Sequence, residues 1–362
     1  MKTSGHFLPT NSEADSQVSA KHDSTSSLSS ASAAPRRRAV VRTLGVAIAL
    51  AAGGMSPALH AQSYPVRPIK IVVPYPPGGP IDALARAFGE RLGATLGQPV
   101  IIDNKGGANE IIGADAVSKA QPDGYTALLA TDASLSLNPF LYSKLPYDPY
   151  RDLIPVSRIV DVNMALIVKG GLPVSNLKEF IALMKKDSSK HNYGSSSPGS
   201  TTHLSFEALK KAGGFDVKNI PYKGIGPALQ DLLAGNIDAM FAGVTAATPY
   251  VSSGKLKVLA ISGQSRIAAL PDVPTFKELG YPDLNAGFYM GVSVPKGTPR
   301  AVIDTLSKAI KQISNDKAYV AKYVQPNGYD VLGETPEEFA KFLERDRVVS
   351  QQRIKDAGVK LD

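Results

Sequence analysis

Residues 69–97 read IKIVVPYPPGGPIDALARAFGERLGATLG. The apolar run Ile69–Val73 suits a buried strand, and the Pro-Pro-Gly-Gly turn behind it cannot continue one. From Ile81 the period changes: Leu84, Phe88, Leu92 and Leu96 recur at helical spacing and share one face. Asp82 falls in the first turn of that helix, where the helix dipole favours an acid. Strand, bare turn and helix in that order make a βα unit. The turn sits at the carboxyl end of the strand, which is where open α/β sheets bind ligands. Gly78, Gly79, Pro80 and Ile81 therefore form either an ordinary tight turn or a backbone kept bare for something to approach.

The same alternation continues along the chain. "PVIIDN" (99–104) and "TALLATD" (126–132) read as strands, with a helix over 109–119 between them. "NPFLYSKLPYDPYRDLIP" (138–155) reads as a connection wrapping the surface between domains. A second block has strands at 165–170, 192–196, 237–243 and 257–263, and helices at 177–186, 201–213, 226–235 and 246–253. A third has a strand at 287–295 and helices at 299–314 and 336–358. Strands alternating with helical segments predict an α/β fold on mainly parallel sheets, and 362 residues are enough for two such domains.

Residues 1–34 are rich in Ser and Ala and are expected to be disordered. Arg36, Arg37, Arg38 and Arg42 then precede the short apolar run 43–55 and small residues up to Ala61. That is the pattern of a signal peptide cut near Ala61, too short for a comfortable membrane span. The mature chain is expected in the periplasm. Without cysteine it has neither disulfides nor a lipid-anchored thiol. Part of the net charge of +8 belongs to the leader, and the remainder keeps +5 on scattered Lys and Arg. Such a distribution points to no nucleic-acid partner.

Enzyme signatures are thin. Beyond the leader only His191 and His203 remain, neither at metal-ligand spacing, so no metal and no cofactor are expected. "YGSSSPGS" (193–200) departs from a nucleophile elbow because Pro198 stands where the second glycine belongs. A hydrolase using Ser196 or Ser197 with His203 is the weakest reading, and no enzyme is expected. Four small-residue loops carry more weight. They hold Gly78–Asp82, then Asp132, Ala133 and Ser134, then Ser196, Ser197, Gly199, Ser200 and Thr201, and finally Tyr222 and Gly224. Each places free amides at a strand end or a helix start, a ready-made seat for an anion. Any one of them is also an ordinary helix start; four together favour a cleft that grips a carboxylate.

Over nearly all of residues 64–362 the chain resembles the Bug-type receptors of tripartite tricarboxylate transporters. The residues that carry the resemblance include "YPVRPIKIVVPYPPGG", "QPDGYTALLATDAS", "LPYDPYRDLIPVS", "NYGSSSPGSTTHL" and "PYKGIGPALQDLLAGNIDAMF". It implies a two-lobed type II periplasmic-binding-protein fold, with lobe one at 62–164 and 286–362 and lobe two at 165–285. It implies a monomeric receptor that closes on a small organic carboxylate, aromatic or dicarboxylate, and delivers it to a permease of one large and one small integral-membrane subunit. The alternative within the same fold is a sensor that signals to a membrane kinase. Carried over residue by residue, the resemblance places the ligand against the four loops above and the strand end at Ala242 and Gly243.

Several positions depart from the family pattern. Asn109 and Glu110 stand where small residues are more typical, and Ala242 stands where an acid is common. Asn219 replaces a frequent His, and Phe288 lies near a frequent Trp. Loss of the acid at 242 points toward a plain or aromatic carboxylate.

Overall fold

The computed structural model describes residues 64–361 apart from 264, 283 and 285. The expected disordered extension and signal peptide lie outside the described residues. Nine strands lead from one sheet into another: β1 (Ile69–Val73), β2 (Val100–Asn104), β3 (Thr126–Thr131), β4 (Leu153–Val162), β5 (Met164–Lys169), β6 (Asn192–Ser195), β7 (Lys218–Pro221), β8 (Ala239–Gly243) and β9 (Leu256–Ile261). β10 (Phe288–Pro295) and β11 (Tyr329–Val331) then return to the first sheet. Among the described residues, the helices of two turns or more are α1 (Pro80–Leu96), α2 (Ile111–Ser118), α3 (Leu177–Lys186), α4 (Thr201–Gly213), α5 (Ile225–Ala234), α6 (Val244–Val251), α7 (Arg300–Ser314) and α8 (Pro336–Ala357).

The first sheet has the order β11-β4-β10-β3-β1-β2 and the second β7-β6-β8-β5-β9. β1 pairs in parallel with both β2 and β3, as the opening βα unit requires. β10 and β11 run against the other four strands of their sheet, and β5 against the other four of its own. The fold is thus α/β with two sheets, each parallel along most strands and antiparallel where the chain crosses between them. The ends expected for α3 and α4 are those observed.

Burial follows the side-chain period. Along β5, Met164, Leu166 and Val168 pack with Phe180, Phe206 and Phe241, while Ala165 and Ile167 pack on the opposite face with Leu232 and Met240. Both faces are covered, which is why this strand reads as an unbroken apolar run. On α1 the stripe Leu84, Phe88 and Leu92 is buried against Ile69, Ile71 and Val73, together with Ile303, Leu306 and Ile310 of α7. Gly97 ends α1 in the left-handed conformation, its N–H donating to Gly93 O.

One stretch differs from expectation. The connection at 138–155 does not simply wrap the surface: Asn138, Leu141 and Tyr147 are buried, and Leu153 already begins β4. β4 is ten residues long and central to its sheet. Pro155 and Arg158 hide it from a reading by period, and its pairing with β10 shifts register twice to accommodate such residues.

The chain passes from the first sheet to the second through one residue, Asn163, between β4 and β5. Just after β9 the returning chain lies against the same point. Ser262 N donates to Met164 O and Met164 N donates to Ser262 Oγ, both at 2.8 Å. Gly263 has φ +118°, and a Cβ there would stand 2.7 Å from Asn163 Oδ1. Gly263→Ala is expected to cost more than about 1 kcal/mol, read as a lower midpoint in urea unfolding with an unchanged m-value.

Candidate functional site

The first loop is organised by Asp82. Its Oδ2 accepts from Gly78 N and Arg86 Nε, each at 2.9 Å, and its Oδ1 accepts from Asn104 Nδ2 at 2.9 Å. The same Asn104 amide donates to Tyr75 O. The Arg86 hydrogen bond is the main reason the buried Asp82 carboxyl falls to about 2. Both oxygens therefore fold the Pro-Pro-Gly-Gly turn back on its own helix. What the loop leaves open is backbone: α1 has no side-chain cap, and no atom lies within 4 Å of a Cβ built on Gly78 or Gly79. The first-turn amides of Ile81 and Asp82, behind Pro80 at the head of the helix, have no intrahelical acceptor.

The second loop is buried. Asp132 Oδ1 accepts from Ala133 N at 3.0 Å, and Ser134 Oγ both accepts from Thr131 N and donates to Thr131 O at 3.1 Å. The Ser134 hydroxyl is thus turned inward on its own loop. Asp132 Oδ2 accepts from Thr201 Oγ1 at 2.8 Å. Thr201 belongs to the second sheet's unit, so this bond joins the two predicted ligand walls directly. Burial pushes the Asp132 carboxyl up to about 7, opposed by Arg353 and reinforced by Glu110 and Asp346.

In the third loop Ser200 caps α4, its Oγ accepting from His203 N at 3.4 Å and donating to Ser197 O at 2.7 Å. Ser196 Oγ pairs with Thr202 Oγ1 at 3.0 Å. Gly199 N donates to His203 Nδ1 at 3.0 Å. The histidine's acceptor nitrogen therefore serves a backbone amide, and the serines find their partners elsewhere. Burial also lowers its pKa. The amides of Thr201 and Thr202 head α4 without an intrahelical acceptor. The fourth loop is tied to the third: Tyr222 N donates to Ser195 O at 2.9 Å and Gly224 N to Ser196 O at 2.8 Å. Tyr222 OH turns to Asp231 Oδ2 at 2.6 Å. Gly243 heads α6 with open space around it, whereas Ala242 is fully buried in the apolar cluster beneath.

Sequence reasoning noted Glu110 only as a departure from pattern and did not place it in the site. It is 4% exposed, and its Oε1 accepts from both Tyr75 OH and Thr131 Oγ1. Ala108, Asn109 and Glu110 have φ of +47°, +49° and +72°. Each non-glycine residue in this region costs roughly 1–2 kcal/mol. Asn138 holds the stretch in place, accepting from Asn109 Nδ2 and donating to Asn109 O at 2.8 Å. The double glycine ahead of it, Gly106–Gly107, was the available signal. Two open hollows of about 730 Å³ lie elsewhere, one beside Lys210 and Asp216, the other beside Arg91 and Asp316. Neither includes a residue of the four loops. No group of three or more potential metal ligands occurs among the described residues.

Residues 84–359 match the profile of the tripartite tricarboxylate transporter family receptor. The chain belongs to that family. Protein BugT of Bordetella pertussis is 35% identical over 317 residues, covering 87% of this chain and 97% of its own. The structure of the periplasmic binding protein BugD matches with a TM-score of 0.72 at 37% identity, covering 82% of this chain and 99% of that one. An R. palustris protein solved with adipate matches with a TM-score of 0.75 at 31% identity, covering 82% and 99%. MatC from Rhodopseudomonas palustris, with bound malate, matches at 0.71 and 29%, covering 80% and 100%. Family membership accounts for the two sheets and their facing loops: this is a solute-binding receptor by descent.

Because folding raises the Asp132 pKa, the group favours the fold fully below its ordinary value near 4. That contribution is lost as pH rises toward 7. Asp132→Asn should therefore match wild type in thermal stability near pH 4. At pH 8 it should exceed wild type by about 2–4 kcal/mol, as read by denaturant melts across the range.

Proposed function

We propose that the protein is a periplasmic receptor, monomeric and without catalytic activity, which captures a small organic carboxylate between its two lobes. It then presents the closed form to an integral-membrane permease of one large and one small subunit. Lobe one is residues 62–164 with 286–362, and lobe two is residues 165–285. The observation that carries this reading is the Asp132–Thr201 hydrogen bond, which brings the second and third loops within 2.8 Å of each other. The uncapped amides of Ile81 and Asp82 and the Thr201–Thr202 amides supply donors for an anion. Ser196, Ser197 and Gly199 shape that wall, with Tyr222, Gly224 and Gly243 beside it. Lys223 is the single Lys or Arg within the four loops, so backbone dipoles carry most of the anion's stabilisation. Adipate and malate in the related structures give the size and class of solute to try.

Ligand shifts the population toward the closed form only by what it gains from touching both lobes at once. A thermal-shift and calorimetric screen over mono-, di- and tricarboxylates tests the reading. A true solute at a hundred times its Kd should stabilise by about 2.7 kcal/mol. Thr201→Leu, which fills the space between the loops, should weaken that solute about a hundredfold or more while keeping a cooperative melt. Undiminished affinity in Thr201→Leu would remove the site from these loops, and no stabilisation by any carboxylate would overturn the function.

A further inference from the structure

The lobe-one wall contains a group that anion binding does not use. Glu110 is the residue immediately before α2, where a side chain would ordinarily cap the helix, yet it makes no cap. The left-handed backbone from Ala108 to Glu110 turns it instead toward the carboxyl ends of β1 and β3. There Oε1 takes two hydroxyl donors, from Tyr75 and Thr131, while Oε2 is buried and has no partner. Thr131 adjoins Asp132, the residue that reaches Thr201 across the cleft, so Glu110 sits one residue behind the contact between the lobes. Burial raises the Glu110 pKa, the hydroxyls of Thr131, Tyr75 and Ser134 and the Ser134 amide oppose that rise, and among the described residues no Lys or Arg pairs with Glu110. A buried carboxylate oxygen without a donor is costly, and a ligand that brings the donor relieves that cost.

Resting on the receptor reading above, we infer that Glu110 is a specificity-determining residue, whose Oε2 accepts a hydrogen bond from a donor group on the ligand. The preferred solute is then a carboxylate whose far end carries an ammonium or hydroxyl group. A second carboxylate at that end would set two acceptors against each other in a buried site.

The test uses matched carboxylates with the full chain: succinate against γ-aminobutyrate and γ-hydroxybutyrate, and adipate against its ω-amino and ω-hydroxy analogues. Calorimetry should show the donor-bearing member of a set binding at least about tenfold more tightly than the dicarboxylate. A lead for the amino compounds assigns an ammonium, a lead for the hydroxy compounds a hydroxyl, and either supports the inference. Glu110→Gln turns the open position into an amide donor and should invert the preference toward the dicarboxylate. Glu110→Gly removes the carboxylate altogether and should discriminate little. If dicarboxylates bind wild type as well as or better than their analogues, or if Glu110→Gln leaves the ratio unchanged, the assignment to Glu110 is wrong while the receptor reading stands. Failure of every carboxylate to bind would overturn both.

Discussion

The chain changes sheets through a single residue, and the rest of the structure depends on how short that crossing is. Asn163 separates β4 from β5, too little chain for either sheet to settle independently of the other. The return after β9 is held beside it by the paired Met164–Ser262 hydrogen bonds, with Gly263 against the Asn163 side chain. Asn163 Nδ2 also donates to Asp330 Oδ2, linking the crossing to the residue that pairs with Asp161 at the edge of the first sheet. Two crossings fixed side by side limit how the two sheets can move relative to each other. The loops after β1 and β3 can then meet the loops after β6 and β7 again and again in one register.

That constraint explains where the molecule tolerates unfavourable local chemistry. Three consecutive left-handed residues, a carboxylate oxygen with no donor and an acid raised toward neutrality all lie around the ends of β1 and β3. Elsewhere the chain follows the local rules closely. α8 begins with a full capping box, Thr335 with Glu338, behind which Pro336 opens the helix. α4 begins with a Ser cap and ends on left-handed Gly214. Among the described residues the left-handed non-glycine backbone is confined to this one stretch, and backbone strain gathered in one place is common at functional sites.

How much was legible in the sequence follows from which interactions are local. α1, α3 and α4 could be read because their apolar period and end residues lie within a few positions of one another. β4 could not, since Pro155 and Arg158 break its alternation and its place between β10 and β11 depends on strands more than a hundred residues away. The family resemblance supplied the two-sheet architecture that periodicity alone left open. Within the site, the loops were identifiable from their small residues, but the uses of their side chains were not. Asp82 was read as a first-turn acid and proves also to staple its loop, while the hydroxyls of Ser134, Ser196 and Ser200 are engaged by near neighbours. The Asp132–Thr201 bond needs residues 69 positions apart to meet, and Glu110 needs a backbone conformation that its residue types do not announce.

The contacts between the loops set a bound on how the receptor can work. Beside the Asp132–Thr201 bond, Leu137 and Leu141 pack with Leu204 of α4 and Ile354 of α8, and Leu361 N donates to Leu141 O. Lys211 of α4 pairs with Asp356 near the end of α8 at 2.8 Å. The C-terminal helix therefore touches the second lobe as well as the first, and closure has favourable contacts before any ligand arrives. In the receptor proposed above, a ligand would add to the closed population only what it contributes beyond these contacts. Under that proposal, discrimination would come from groups that the contacts between the loops leave unsatisfied. On the described residues that condition is met by the free amides at the heads of α1 and α4 and by the open oxygen of Glu110. Those are the places where the proposed solute would change the energy of closure rather than merely accompany it.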